Sequence, residues 1–298
     1  MSGSLPIIFA IYPILLSGIT LVWLLKRRHQ HWFEWTIQVL AGAAVIIFIF
    51  MTGPWAFTSY YLRYVVLGLF AFIAVLSYYR TKAGNAGVPV QNAAVSLPAV
   101  LAFFLFAVLD TLAIGSYHSA GKSLDVAFPL RSGKYYVLQG GTSIVTNPFH
   151  ALGNNKLAVD IVKLNSFGNR ANGIAPKALS AYQIFGEKLH SPCQGSILEV
   201  RDSLPDNPPA HPDTSHPKGN YLVLQCLVGD ILMAHLRRGS IMALPGDAVT
   251  MGQPLAEIGN SGNTLEPHLH IEATKDGKPV RLGFNGLSLS INSLVTAK

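Results

Sequence analysis

The chain has 298 residues, half of them hydrophobic and only 12% charged, with a formal net charge of +7. That composition excludes an ordinary soluble protein of this length. Up to residue 116 six Lys/Arg face only Glu34 and Asp110, and the remainder is nearly balanced. With no basic stripe, the charge gives no ground for a nucleic-acid partner.

The apolar excess lies before residue 117, in four runs at about 5–25, 36–57, 62–79 and 94–115. Each is near the roughly 20 residues that cross a bilayer as a helix. Too few polar residues remain within them to give a soluble helix its wet face. Pro13 and Pro98 are potential kinks, which neighbouring helices tolerate. No basic segment precedes the first run, so it reads as an anchor and not as a cleaved leader.

Lys26, Arg27 and Arg28 lie between runs one and two, and Arg80 and Lys82 between runs three and four. The positive-inside rule puts both loops in the cytoplasm. The N-terminus and everything after the fourth run then lie outside. Trp32, Phe33 and Trp35 on one side, and Trp55, Tyr60, Tyr61 and Tyr64 on the other, fit interfacial aromatic belts. His29 and His31 read as interfacial. Asp110, near the outer end of the fourth run, is either a functional carboxylate or one that snorkels to the interface.

Residues 117–133 read as a linker between this region, 1–116, and a second domain, 134–298. Short apolar runs recur there, among them "KYYVLQ", "LAVDIV", "YLVLQCLVG" and "HLHIEA", separated by Gly, Pro, Asn and Asp. That is the pattern of an antiparallel β domain, a sandwich or open barrel. "LPDNPPAHPDTSHPKGN" is a loop. Cys193 and Cys226 both fall in this part, where an oxidising space favours a bridge over two buried thiols.

In "PHLHIEA" the period of a strand sends His268 and His270 to one face. Such a pair could hold a metal together, or one could hold it while the other serves catalysis. Asp160, flanked by Val159 and Ile161, is a carboxylate in an apolar strand, costly to bury unless something cationic meets it. His150 and His235 stand in comparable segments. His211 and His216 could form an accessory pair but are more simply loop residues. His190 reads as a strand-entry residue, and Glu272 as a hydrogen-bond partner for a metal histidine or a solvated acid.

From about Lys134 to Glu272 the chain resembles the lysostaphin-type (LytM-like) zinc metallopeptidases, which are cell-wall endopeptidases. The matching segments are the His and Asp on an apolar strand, "AHL" before a Gly-Ser turn, "GDAVTMGQPLAEIGNSGNT" and "PHLHIE". In that family the leading His and Asp are commonly about three residues apart, whereas nine lie between His150 and Asp160. The resemblance implies that His150, Asp160 and His270 bind Zn2+ and that His235 and His268 act on the substrate. Two imidazoles and a carboxylate leave one tetrahedral position for a water, made acidic by the metal. The implied function is a membrane-anchored endopeptidase cutting peptide cross-links of peptidoglycan. The alternative is an inactive relative that binds the wall or regulates another hydrolase. A third reading gives transport or sensing to the helices.

Overall fold

The computed structural model describes residues 4–27, 31–84, 96–118, 123–153 and 155–298. Arg28, His29, the first two residues of the fourth run and four residues of the 117–133 segment fall outside these. Among the described residues four helices are long and apolar enough to cross a membrane: α1 (Leu5–Lys26), α2 (Trp32–Thr52), α3 (Leu62–Gly84) and α4 (Leu97–Tyr117). Helix α2 stops earlier than its apolar run. Gly53 and Pro54 follow it, and proline disfavours helix in the residue before it; Trp55–Phe57 then form a single 3₁₀ turn. Pro98 falls in the first turn of α4, where its missing N–H costs nothing, so it does not kink the helix.

Small residues let the helices approach. Ala41, Gly42 and Ala44 of α2 are buried, as are Ala99 and Ala113 of α4. A side chain at Gly42 would press on Phe70 of α3 and Thr20 of α1. Isoleucines and leucines such as Ile8, Ile11 and Leu15 point outward. Asp110 does not snorkel: it is buried, and its Oδ1 has no hydrogen-bond partner.

Among the described residues thirteen strands follow, β1 (Ser123–Val126), β2 (Gly133–Gln139), β3 (Val159–Leu164), β4 (Lys188–His190), β5 (Gly195–Arg201), β6 (Asn220–Cys226), β7 (Gly229–Leu236), β8 (Ala248–Val249), β9 (Pro254–Glu257), β10 (Leu269–Lys275), β11 (Lys278–Phe284), β12 (Leu287–Ser288) and β13 (Leu294–Ala297). The main path runs β13-β2-β3-β10-β7-β6-β5-β8, with β11 joined to β10. Pairing is antiparallel except between β1 and β11. Strand β1 lies inside the segment that reads as a linker from sequence. Cys193 and Cys226 are bridged, with 6.0 Å between their Cα atoms.

The main sheet has two unlike faces. Tyr135, Val137, Val159, Ile161, Ile231, Met233, Leu269 and Ile271 alternate onto one face and form the core. On the other face, Tyr136, Val162 and Leu164 pack against Ala56 and Tyr60 at the end of the α2–α3 hairpin. The β domain thus sits on the helix ends, where the last carbonyls of a helix need donors. Asn292 Nδ2 reaches Met51 O at 2.7 Å and Gly53 O at 3.0 Å, and Arg281 Nη2 reaches Ser116 O at 3.0 Å. Tyr60 N bonds Gly168 O, and Arg170 N bonds Ala56 O. Tyr60 is buried in this contact and Trp55 in the helix cluster, its indole N–H donating to Ile49 O at 2.9 Å, while Tyr61 and Tyr64 stay exposed. Arg80 reaches Leu25 O, at the opposite end of the bundle from the β domain.

Candidate metal centre

Strand β10 lies between β3 and β7, and register places His270 opposite Asp160 on one side and Ala234 on the other. Since Val159, Ile161, Leu269 and Ile271 take the core face, Asp160 and His270 take the face turned toward the helices. His235 should go into the core, following Ile231 and Met233. It does not, because the register between β6 and β7 shifts there and His235 adopts φ +62°. A bulge of this kind re-aims one side chain, and His235 joins the site face.

His150 comes from the loop between β2 and β3. The nearest atoms of His150, Asp160 and His270 lie within 4.8 Å of one another, as do those of His235, His268 and His270. His270 Nδ1 is 2.9 Å from Asp160 Oδ1, His150 Nε2 is 3.5 Å from Oδ2, and His268 Nε2 is 3.6 Å from Oδ1. All five groups named from sequence therefore converge. Glu272 Oε2 stands 3.7 Å from His270 Nε2, behind the ring. His216 pairs with Asp213 on the surface, and among the described residues neither it nor His211 joins a metal-type cluster.

Backbone and amide partners fix the imidazole tautomers. A carbonyl only accepts, so the ring nitrogen facing one carries the proton. His235 Nδ1 donates to Ser261 O at 2.9 Å, and His268 Nδ1 to Glu266 O at 2.9 Å, with Thr264 Oγ1 at 3.1 Å. Asn147 spends its NH₂ on Gly141 O, Lys156 O and Ala158 O, so its Oδ1 takes the Nδ1–H of His150 at 2.9 Å. Three imidazoles thereby turn lone pairs at Nε2 toward the centre.

That arrangement answers whether the residues fit a divalent cation. Burial pushes His150 down, against the pull of Asp160, so its ring is neutral. His150 Nε2 and Asp160 Oδ2 face each other at 3.5 Å, and a cation between them would satisfy both. Burial pushes Asp160 up, but the imidazoles of His150, His268 and His270 outweigh it and hold the carboxyl well below the usual carboxylate range. Burial drives His270 down, but its bond to Asp160 and the nearby Glu272 push it up to about 9. The Nδ1–H of His270 therefore donates to Asp160 Oδ1, a position where a cation could take the proton's place. The donor set of imidazoles plus one carboxylate suits zinc.

Sequence reading missed the groups that hold these rings. Asn147 precedes Pro148, and Asn-Pro is a turn signal that could have drawn attention to it. Arg170 and Glu266 form a buried bidentate pair, both contacts at 2.6 Å, with the guanidinium 3.5 Å above the Phe57 ring. The loop 204–220 packs backbone to backbone on the turn before His268. Gly219 and Gly262 have φ of +61° and +88°, and a Cβ on either would strike the other segment.

The architecture is a mostly antiparallel β domain carrying a buried imidazole–carboxylate centre, set behind four apolar helices. Residues 185–282 match the model of Peptidase family M23, so this segment of the chain is an M23 peptidase domain. The matched segment includes His235, His268 and His270, while His150 and Asp160 precede it. Among solved structures the chain is similar to a zinc containing peptidase from Vibrio cholerae, at 21% identity and TM-score 0.35 over 53% of this chain. It spans 39% of that peptidase's length. The catalytic domain of the prophage-encoded M23 protein EnpA from Enterococcus faecalis aligns at 16% identity and TM-score 0.35, over 51% of this chain and 92% of its own. The catalytic domain of the antimicrobial peptidase lysostaphin from Staphylococcus simulans aligns at 20% identity and TM-score 0.28, over 47% and 78%. No curated protein matches the chain.

Proposed function

We propose that this protein is a zinc metalloendopeptidase that hydrolyses peptide cross-links of peptidoglycan at the outer face of a bacterial cytoplasmic membrane, anchored by its four helices. The carrying observation is the convergence of His150 and Asp160, which precede the matched M23 segment, with His235, His268 and His270, which lie inside it. His150, Asp160 and His270 would hold the ion. Zinc, when bound there, supplies a Lewis acid that polarises a peptide carbonyl and acidifies water.

The chain's own groups do the rest. His268, with its Nδ1–H spent on Glu266 O, has a free Nε2 that can take a proton and return it to the leaving amine. His235 is fully buried, and burial with the neighbouring His268 and His270 pushes it well below the usual histidine range. It therefore stays neutral at pH 7, and its Nε2 orients the attacking water. The outward placement of the domain is supported by the disulfide and by the basic Arg80 at the far end of the bundle.

The test uses the full chain in detergent. Metal content is measured by mass spectrometry, and fragments released from purified sacculi are identified. About one zinc per chain and release of cut cross-link peptides, lost in His268→Ala, is the expected result. A protein that binds no zinc and leaves sacculi intact would refute the proposal.

A further inference from the structure

The loop from Gly140 to Ala158 carries His150 but has no sheet pairing of its own. It is held instead by a buried cluster of hydroxyls. Gly141 has φ +103°, and a Cβ there would meet the hydroxyls of Ser116, Thr146 and Ser290 together. Ser116 belongs to α4. Its Oγ accepts the N–H of Thr142 at 2.7 Å and pairs with Thr146 Oγ1 at 2.7 Å. The residue after Thr146 is Asn147, whose Oδ1 fixes His150. Ser116, Thr146, Asn147 and Ser290 are all 0–1% exposed. At the other end of the loop, Phe149 packs edge-on against Phe9 of α1, with 6.1 Å between ring centroids. The loop is thus slung between the outer ends of two apolar helices. The α2–α3 hairpin makes a comparable link, because Ala56 and Phe57 seat Arg170, which grips Glu266 two residues before His268.

A long apolar anchor has no need of such contacts. We propose that the helical region is a structural part of the metal centre, with Ser116 of α4 acting as a positioning residue for His150 through Thr146 and Asn147. This rests on the zinc-peptidase reading of the same site. If Ser116 does no more than glue the two regions together, its loss lowers the melting temperature but leaves metal binding alone. If it positions a ligand, metal affinity and coordination geometry change as well, since outer-shell partners typically control 10–100-fold in affinity.

The experiment compares full-length wild type, Ser116→Ala, Thr146→Val and Thr146→Ser in detergent or nanodiscs. Zinc affinity is read by competition with a chromogenic chelator, and geometry by the visible absorption of Co2+ titrated into the metal-free protein. Ser116→Ala and Thr146→Val are expected to weaken zinc by about tenfold and alter the Co2+ bands. Thr146→Ser, which keeps the hydroxyl, is expected to stay within about twofold of wild type on the same grounds. Should Ser116→Ala fail to fold, the Thr146 pair decides: Val, a close isostere, weak and Ser intact supports the proposal, and the two alike overturns it. Normal zinc affinity in folded Ser116→Ala overturns it too. If wild type takes up no zinc, the peptidase reading itself falls, and this proposal with it.

Discussion

The bridge between Cys193 and Cys226 gives a prediction whose size follows from the fold. It closes a loop with a sequence separation of 33, holding β5, the Pro-rich 204–220 segment and β6. On the chain-entropy relation, opening a loop of that length costs about 4 kcal/mol at 25 °C. For a domain of this size each kcal/mol moves Tm by roughly 2–4 °C, so the loss is roughly 8–16 °C. Cys226 lies at the end of β6 away from Asn220, and Asn220 is the end that neighbours the site through Ser261. Zinc affinity at 25 °C should therefore hardly change. The assay is thermal melting of the full chain, oxidised against Cys193→Ser/Cys226→Ser, with chelator competition alongside. Curves that superimpose within about 2 °C would refute the reasoning, the relation predicting several times that. Blocking of thiol labelling in intact cells would show in addition that the domain resides in an oxidising space.

Other outcomes follow from particular contacts. Glu266→Gln leaves Arg170 buried without its counter-charge and should destabilise the protein by about 3–5 kcal/mol in a denaturant titration. His268→Ala should lower the cleavage rate by about 10²–10⁴-fold in muropeptide assays while zinc stoichiometry holds. Gly262→Ala forces a side chain onto φ +88° and into the backbone of Gly219, a strain of about 1–3 kcal/mol before the clash is counted. It should lower Tm and detach the 204–220 loop, read by limited proteolysis. Stripping the metal with a chelator should abolish cleavage. Returning zinc to about 100 times its Kd should restore it and stabilise the fold by about 2.7 kcal/mol.

Much of this was legible in the sequence because it rests on periodicity. Alternation alone put His268 and His270 on one face and set Asp160 against its neighbours, and register then brought His270 beside Asp160. Apolar length marked the four helices. What periodicity cannot see is where a strand breaks step. His235 reaches the site only through a bulge with a left-handed backbone, which no alternation pattern announces. Residues whose partners lie far along the chain were equally hidden. Trp55 and Tyr60 look like a membrane belt by composition, yet Trp55 is buried among the helices and Tyr60 under the β domain. Arg170 reads as one more polar loop residue until Glu266, nearly a hundred positions later, closes on it.

The way the sheet is seated on the helix ends has a consequence for reach. A catalytic head on a slack tether sweeps a volume, and can chase its target through the depth of a wall. Here Gly168, Arg170, Arg281 and Asn292 clasp backbone at the helix ends from several directions. The imidazole cluster also opens on the sheet face that those helices approach. On the proposed function, with the four helices in a bilayer, such a head would be held at one altitude above it, and strands would have to come to it: it would trim only the layer of polymer lying closest to the lipid.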